Sequence, residues 1–491
     1  MDAQPFSVKR AQVEFHNFAS LGEPERNLRI YAEENDRRGN VIRNHLAFIG
    51  PMTPFLEIGA NAGHSSYMLA NEYGESGFAL DISADSLRHG RALMDAWHLD
   101  RAPIRVAGDA ANLPFADQSL RFVCAFQMLS QFMDIESVFR EVARVLQPGG
   151  VFLFAEEPLR RKLSLRLYRC PYYDTMKPWE RKLYDWGLLG YFVRDVIGAH
   201  QEESFGIRQN HTMALGDWHA LALKYFAEQQ YEVFVPERGW GERVVKRRAG
   251  SQWRAARLLG GTLAAILKKS GTAPATKPFE HFENFLRCPD CHAPLKREEE
   301  VAQAPARPKT DQEQLAPASV APRSSSVDLL RCIACAYQSP NEGQVYNLLP
   351  SAERKELYPG DREDIIDFSL PSHERHLLEG WYDLEGIYGN KYRWIGARAT
   401  AKLKRVKAGP QRLRIRGHAS AQGVPGEIKA IVNGVRVGEW KIDRTGLFVL
   451  EEDLPQADEY LLEILAAPTF QVPTDDRTFS VNLSMVRLVD P

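Results

Sequence analysis

Four of the six cysteines form two Cys-x-x-Cys pairs, a spacing that is typical of metal ligands. The pairs are Cys288 with Cys291 and Cys332 with Cys335. Each pair bends two thiolates towards one point, and two such turns together provide the tetrahedral sulfur environment that zinc prefers. Redox-active pairs are the alternative, which the presence of two pairs together disfavours. The cysteines therefore predict a structural zinc site that leaves no coordination position open for catalysis.

A second stretch that could bind a ligand runs from Pro54 to His64 and contains a glycine turn. Its apolar start predicts a buried parallel strand, and Gly59 and Gly63 then allow the backbone to approach a ligand ahead of a helix. A dinucleotide fingerprint would need glycine where Asn61 and His64 stand. Asparagine tolerates a left-handed backbone, so we expect the turn to form, while a nicotinamide cofactor is disfavoured.

Acidic residues follow the next two predicted strands. Asp81 ends the strand that begins at Gly77 and lies 24 residues after Glu57, which is the length of one strand-helix-strand unit. Asp109 follows the predicted strand over residues 104–107. A carboxylate in the position of Asp81 can accept hydrogen bonds from both hydroxyls of a ribose. A solvated helix cap is an equally good interpretation of Asp81 taken alone.

Strand, glycine turn, acid, helix and a Gln147-Pro148-Gly149-Gly150 helix stop recur in order over residues 50–158. This order resembles class I S-adenosylmethionine-dependent methyltransferases of the small-molecule, quinone-methyltransferase-like branch. The resemblance implies a Rossmann-like α/β fold and S-adenosylmethionine as cofactor. It assigns the methionine part to Glu57, Gly59, Ala60, Asn61 and Gly63, the ribose to Asp81, the adenine to Asp109, and a lining position to Gln127. Ile82 and Ala110 are further predicted cofactor-binding residues. The sequence departs from the family at Asn61 and at Arg121, where aspartate is common.

Two residues are candidates for a general base. Methyl transfer from a sulfonium needs mainly in-line placement of the acceptor, and a base only when the acceptor is a hydroxyl. Glu157 directly follows the fifth predicted strand, where substrate residues are expected, and a histidine such as His211 titrates near neutrality. A solvated or arginine-paired carboxylate is the commoner role for a residue like Glu157, and a core or surface position is commoner for His211.

The segment 158–215 is longer than the core fold needs, and we expect it to form the acceptor site. It is rich in aromatic, amide and titratable side chains. Such side chains suit a polyhydroxylated substrate because they combine flat apolar faces with hydrogen-bonding groups. The sequence therefore favours O-methylation of a hydroxyl on a glycan, a glycolipid or a related small molecule.

Basic residues surround an apolar run between residues 243 and 269. Their spacing predicts an amphipathic helix in a linker over 251–280, after a first domain over 1–250. Such a helix could rest on an anionic membrane surface or meet a lipid-linked substrate. A helix that packs on its own domain and exposes a basic face is the commoner arrangement.

The rest of the chain is predicted to form a small zinc ribbon over 281–350, a polar connector over 351–395 and an antiparallel β-sandwich over 396–491. A disordered linker at about 298–326 interrupts the ribbon. The ribbon resembles zinc-ribbon proteins that activate tRNA and rRNA methyltransferases, which implies a structural or protein-docking role. Apolar residues with a period of two and an Asn433-Gly434 turn carry the β-sandwich prediction. The sandwich resembles accessory modules of bacterial glycan-synthesis enzymes.

Composition restricts the location and the partners. The formal net charge of −2 gives no general attraction to nucleic acid, and no apolar run approaches the roughly 20 residues that span a bilayer. The start of the chain lacks signal-peptide features, so we expect a cytoplasmic protein, with contact to the inner membrane face left open. Two other functions stay open: an RNA methyltransferase that uses the zinc ribbon, and a non-catalytic cofactor- and glycan-binding scaffold in a polysaccharide-assembly complex.

Overall fold

The structure is a computed structural model that describes most of the chain. The described residues are 24–132, 134–159, 168–170, 177–185, 193–196, 213–236, 242–246, 261–274, 278–301, 326–358, 362–368, 371–387, 390–443, 445–473 and 475–489. Side chains are described for most of these residues.

A mixed sheet forms the centre of the N-terminal part of the chain. Its strands are β1 (Phe55–Ile58), β2 (Gly77–Asp81), β3 (Ile104–Ala107), β4 (Leu120–Phe126), β5 (Leu146–Leu159), β8 (Glu228–Pro236), β9 (Glu242–Lys246), β10 (Gly261–Lys268) and β14 (Val345–Asn347). Their order is β14-β3-β2-β1-β4-β5-β10-β8-β9, with β14 to β5 parallel and β10 antiparallel to both of its neighbours. The strand order reverses between β1 and β4, which is where open α/β sheets bind ligands.

Helices accompany these strands in the N-terminal part of the chain. They are α1 (Pro24–Ile49), α2 (His64–Asn71), α3 (Ala84–Arg88), α4 (Gly90–Trp97), α5 (Ile135–Val145), α6 (Pro178–Asp185) and α7 (Leu215–Tyr225). Helix α5 illustrates why they form, since Asp134 caps its first turn and its apolar face is buried against the sheet. The described pieces β6 (Tyr168–Cys170) and β7 (Val193–Val196) pair with each other in the predicted acceptor segment.

The predicted amphipathic helix over 243–269 is wrong where the structure describes that stretch. Residues 261–268 form strand β10, which lies between β5 and β8, and residues 242–246 form strand β9. Residues Leu263 to Leu267 are buried on both faces of the sheet. From its sequence alone, a short apolar run that is buried on both faces is compatible with a helix or with a strand. Here the run forms a strand because it pairs with the edge of β5. The first sheet therefore continues past the predicted boundary at residue 250.

The cysteine region is continuous with this sheet and does not form a separate unit. Strands β11 (Leu295–Val301), β12 (Ser326–Cys332) and β13 (Gln338–Pro340) form a small antiparallel sheet, whereas β14 joins the edge of the large sheet beside β3. The rings of Phe282 and Phe285 pack edge-on against Phe78 of β2. One hydrophobic core spans the large sheet and the two cysteines Cys288 and Cys332. A short helix, α8 (Ser351–Leu357), follows.

Two antiparallel sheets form the C-terminal part and enclose a second core. One contains β15 (Ile365–Asp367), β16 (Trp381–Ile387), β17 (Asn390–Ile395), β19 (Gln411–Ala419), β22 (Gly446–Leu454) and β26 (Val481–Val489), and the other contains β18 (Arg398–Lys404), β20 (Gly426–Val432), β21 (Val435–Ile442) and β23 (Glu459–Ala467). Strands β24 (Phe470–Val472) and β25 (Asp475–Phe479) form a separate hairpin. The predicted turn at Asn433-Gly434 joins β20 to β21. The predicted boundary at residue 396 is wrong, because β15, β16 and β17 of the supposed connector belong to these sheets.

None of the helices in the described part of the chain is both long and apolar enough to span a bilayer.

Candidate active site

The carboxyl ends of β1, β2, β3, β4 and β5 meet at one edge of the sheet. The parallel registers align Ile58 with Leu80 and with Ala125, and align Asp81 with Ala107. The loops that leave these ends therefore lie side by side. They carry the glycine turn and both predicted acids.

The glycine turn has the backbone conformation that its sequence predicts. Gly59, Asn61 and Gly63 all have positive φ angles, of 70°, 52° and 85°. A side chain at Gly59 would also collide with Met128, whose Cγ lies 2.4 Å from the position of a Cβ. Asn61 thus adopts the left-handed conformation in this turn, as predicted.

Asp81 is buried at the end of β2 and lies directly opposite the glycine turn. Its Oδ2 accepts a hydrogen bond from the backbone N–H of Asn61 over 2.8 Å, and its Oδ1 accepts one from Ser83 N over 2.8 Å. Each carboxylate oxygen keeps a further lone pair. The side chain is therefore fixed in orientation while it can still accept hydrogen bonds from a ligand.

Glu57 does not line the cleft, and its predicted contact with the methionine part needs correction. Its Oε2 accepts hydrogen bonds from both the backbone N–H and the hydroxyl of Ser66 in the first turn of α2. Burial raises the pKa of Glu57 to about 7, although both bonds from Ser66 oppose the rise. Glu57 thus ties the strand before the glycine turn to the helix after it.

Glu157 is completely buried, so the prediction of a solvated or arginine-paired carboxylate is wrong. Its two oxygens accept hydrogen bonds from the backbone N–H groups of Met128, Leu129 and Ser130 at 2.7–2.9 Å. Burial raises the pKa of Glu157 to about 7, against these hydrogen bonds. With its oxygens occupied, Glu157 is placed to hold the loop after β4 and not to remove a proton from a substrate.

The remaining predicted cofactor residues divide into two groups. Gln127 is exposed, has a φ of 51° and lines the cleft beside Met128. Asp109 and Ala110 are buried next to the end of β3, where Oδ1 of Asp109 accepts a hydrogen bond from Ala111 N over 2.9 Å. Ala60, Gly63, Ile82, Asp109 and Ala110 are not among the residues that line the cleft.

A polar cluster that the sequence did not reveal closes the other side of the cleft. Arg38 of α1 is buried and contacts Glu156 at 2.8 Å and Glu34 at 3.3 Å. Its guanidinium also donates to Ser65 at 2.9 Å. Glu156 reaches Arg38 because β5 has one extra residue against β10 at this point, a bulge that turns the side chain out of the sheet. The cluster anchors α1 over the carboxyl ends of the strands.

His64 lies at the centre of this cluster, under the ring of Tyr31 at a centroid distance of 4.3 Å. Its Nε2 lies 2.9 Å from Oε2 of Glu34 and 2.5 Å from Nη1 of Arg38, while Nδ1 has no hydrogen-bond partner in the described chain. Burial lowers the pKa of His64 against the opposing hydrogen bond to Glu34, so the imidazole is neutral at pH 7. The contacts of Nε2 with a donor, Arg38, and with an acceptor, Glu34, favour opposite tautomers of the ring.

The cleft between these two sides has a volume of about 390 Å³. It is lined by Tyr31, Glu34, Arg38, Gly59, Asn61, His64, Asp81, Phe126, Gln127, Met128, Ser130, Glu156, Pro158 and Thr262. Four of the predicted cofactor residues are in this set: Gly59, Asn61, Asp81 and Gln127. His211 and most of the predicted acceptor segment lie outside the described residues.

The four predicted metal ligands come together at the far edge of the sheet. The sulfur atoms of Cys288, Cys291, Cys332 and Cys335 all lie within 4.8 Å of one another, and the closest pairs are separated by 3.4–3.6 Å. Sulfur atoms at the corners of a tetrahedral zinc site are about 3.8 Å apart, given zinc–sulfur bonds of about 2.3 Å. The donor set and its spacing therefore fit zinc.

Part of the chain is similar to known proteins. Residues 56–154 match a family model described as a methyltransferase domain. The chain is 32% identical over 110 residues to methyltransferase GfsG of Streptomyces halstedii, covering 22% of this chain and 39% of that protein. It is 36% identical over 108 residues to demethylmenaquinone methyltransferase of Mycolicibacterium paratuberculosis, covering 22% and 43%. A solved structure, the PH0226 protein of Pyrococcus horikoshii, is 18% identical with a TM-score of 0.31 and covers 48% of this chain and 92% of that one.

The chain spans less than half the length of these two curated relatives. The matched residues coincide with β1 to β5 and the turns between them. Residues 56–154 therefore belong to a methyltransferase domain of the class I, S-adenosylmethionine-dependent type.

Proposed function

We propose that the protein transfers the methyl group of S-adenosylmethionine to a small-molecule acceptor in the cleft under α1. The observation that carries this proposal is the arrangement of Asp81 opposite the left-handed Gly59–Gly63 turn, at the point where the strand order reverses. The cleft has a volume within the range of about 300–1,000 Å³ that is usual for ligand sites.

The charge of the cleft suits a cationic cofactor. Its lining holds three carboxylates, those of Glu34, Asp81 and Glu156, and one guanidinium, that of Arg38. The sulfonium is an activated methyl donor, so the protein contributes mainly orientation and exclusion of water. We assign the ribose hydroxyls to Asp81, the methionine part to the N–H groups of the glycine turn, and the adenine side to the loop that Asp109 begins.

His211 is our candidate for the general base when the acceptor is a hydroxyl, on sequence grounds alone, because a histidine titrates near neutrality. His64 is buried against Arg38 and Glu34, and its Nδ1 is enclosed by the protein without a hydrogen-bond partner in the described chain. We therefore assign His64 to the anchoring of α1 and not to proton transfer.

The acceptor class that the sequence favours is a hydroxyl of a glycan or glycolipid. Its support is the aromatic and amide content of the segment 158–215, together with the resemblance of the C-terminal sequence to accessory modules of bacterial glycan-synthesis enzymes. RNA methylation and a non-catalytic scaffold are the other candidates. The slight negative net charge disfavours RNA.

We also propose that the four cysteines hold a structural zinc ion. Four thiolates would complete its coordination and leave no position for a substrate, so the metal would stabilise the region between β11 and α8. On the basis of the sequence, we also propose that this zinc-ribbon-like region docks a protein partner.

A transfer assay tests the function. The protein is incubated with S-adenosylmethionine labelled in the methyl group and with three acceptor pools: soluble oligosaccharides, extracted glycolipids and total RNA. Label in either glycan pool supports the proposal, and label in RNA supports the first alternative. Under the proposal, His211→Gln lowers the transfer rate by at least tenfold and leaves cofactor affinity within about twofold.

A further inference from the structure

The region that holds the four cysteines also builds one wall behind the ribose side of the cleft. Strand β14 pairs with β3 from Val345 to Asn347, and the N–H of Leu348 continues the ladder by donating to the carbonyl of Ala107 over 2.7 Å. Leu349 and Leu357 then pack against Ile82, the residue that follows Asp81. The cysteine region therefore reaches the ribose turn through both backbone and side chains.

Tyr358 holds the turn that follows Asp81. Its hydroxyl donates to the carbonyl of Ile82 over 3.0 Å and accepts from the N–H of Ala84 over 2.7 Å. Between these two residues lies Ser83, whose N–H donates to Asp81. One phenol thus bridges both sides of the residue that orients the carboxylate.

The other end of this connection lies inside the first cysteine pair. Asp290, between Cys288 and Cys291, accepts hydrogen bonds from the backbone N–H and the hydroxyl of Ser351. Ser351 begins α8, and Tyr358 follows the last residue of that helix. A helix of seven residues therefore connects the metal-binding turn to the ribose turn.

A second contact fixes the start of α8 from the other cysteine pair. The hydroxyl of Tyr337, two residues after Cys335, donates to the carbonyls of Asn347 and Leu349 at 3.0 and 2.9 Å. Arg354 of α8 donates to the carbonyl of Gln338 over 2.7 Å. Both cysteine pairs are thus linked to the segment that carries Tyr358.

We propose that Tyr358 is a positioning residue for Asp81 and that the four-cysteine centre, through Asp290 and α8, sets the affinity for the cofactor. The inference rests on the proposed function, because it concerns the same ribose site. Loss of metal releases the turn at residues 288–291, and α8 and Tyr358 then lose their fixed position. Linkage is reciprocal, so cofactor binding must also strengthen retention of the metal.

Calorimetry with S-adenosylhomocysteine tests the proposal on the full, zinc-loaded chain. We expect Tyr358→Phe to weaken binding about fivefold to tenfold, with zinc content unchanged, because it loses the two hydrogen bonds to the turn. Tyr73→Phe is the matched control, since its hydroxyl donates to the carbonyl of Gly39 far from the ribose turn. Asp290→Ala should weaken binding to a similar degree, and the double variant should lose less than the product of the two single effects.

A second readout separates positioning from general stabilisation. The rate of zinc release to a colorimetric chelator is measured with and without saturating S-adenosylhomocysteine. We expect the ligand to slow release several-fold in the wild type and to have a smaller effect in Tyr358→Phe. Unchanged affinity in Tyr358→Phe, or zinc release that the ligand does not alter, overturns the coupling while the methyltransferase assignment stands. A zinc-loaded wild type that binds no S-adenosylhomocysteine overturns both.

Discussion

The backbone N–H of Asn61 donates to Oδ2 of Asp81 over 2.8 Å, which joins the glycine turn to the end of the neighbouring strand. The same carboxylate accepts a second backbone hydrogen bond from Ser83. Two loops that are separate in sequence therefore share one acid. The cofactor site is preorganised because this acid cannot rotate without breaking backbone hydrogen bonds.

Replacement of Gly59 tests the close approach in the glycine turn. Gly59→Ala places a methyl group 2.4 Å from Cγ of Met128, so we expect a loss of about 1–3 kcal/mol of unfolding free energy beyond the strain of the positive φ. Binding of S-adenosylhomocysteine should fall by more than tenfold. Gly50→Ala is the matched control, because Gly50 has a φ of 71° and open space around its Cβ position. Equal losses in the two variants, measured by urea denaturation, would argue against the crowding.

Arg38 and Arg37 both pair with Glu156, but the first pair is buried and the second is exposed. We therefore expect replacement of the two arginines to lower the free energy of unfolding by different amounts. Arg38→Gln leaves Glu34 and Glu156 without their buried partner, so we expect a loss of about 3 kcal/mol. Arg37→Gln removes an exposed partner of the same Glu156 and should cost under about 1 kcal/mol. Thermal unfolding of both variants gives the comparison. Equal decreases in the two melting temperatures would contradict the expected difference between a buried and an exposed ion pair.

The raised pKa of Glu57 predicts a stability that decreases with increasing pH. In the unfolded chain its carboxyl loses a proton near pH 4.5, whereas the folded chain keeps that proton up to about pH 7. The free energy of unfolding therefore decreases between pH 4.5 and 7, and the decrease is complete above that range. The pKa of Glu157 is also raised, so Glu157 lowers the free energy of unfolding in the same direction as the pH increases. Glu57→Gln should flatten the fall in unfolding free energy across this window, and the exposed Glu72→Gln should not. An unchanged slope in Glu57→Gln would refute the assignment.

Metal removal should affect one part of the chain and spare the other. We expect about one zinc ion per chain by elemental analysis, and none after Cys291→Ser is combined with Cys335→Ser. Cys124→Ala is the control, because this cysteine is buried in β4 away from the cluster. The two hydrophobic cores are distinct, so chelation should lower the calorimetric transition of the first core and leave that of the C-terminal sheets in place. A loss of both transitions would contradict this division.

The parts of the site that sequence reasoning found are those with local signals. The positive φ of Asn61 follows from the glycine spacing, and the ends of β2 and β3 follow from apolar runs that stop at acids. The four cysteines were found because their spacing directly encodes the ligand geometry.

The parts that sequence reasoning missed depend on contacts between distant segments. Arg38 and Glu156 are 118 residues apart, and neither stands in a motif. The bulge that exposes Glu156 arises from the register of β5 against β10, a strand that was itself predicted as a helix. Strand β14 has only three residues and pairs with β3 about 240 positions earlier in the chain. In each case tertiary packing overrides a weak local preference.

The most direct test of the cofactor site is the affinity for S-adenosylhomocysteine, measured by calorimetry on the wild type, Asp81→Ala and Asp117→Ala. Asp117 is an exposed acid paired with Arg144 and serves as the control. We predict one binding site in the wild type, a loss of about 1.5–3 kcal/mol of binding free energy or more in Asp81→Ala, and no change in Asp117→Ala. A folded wild type that does not bind, or an Asp81→Ala variant that binds as well as the wild type, would contradict the account.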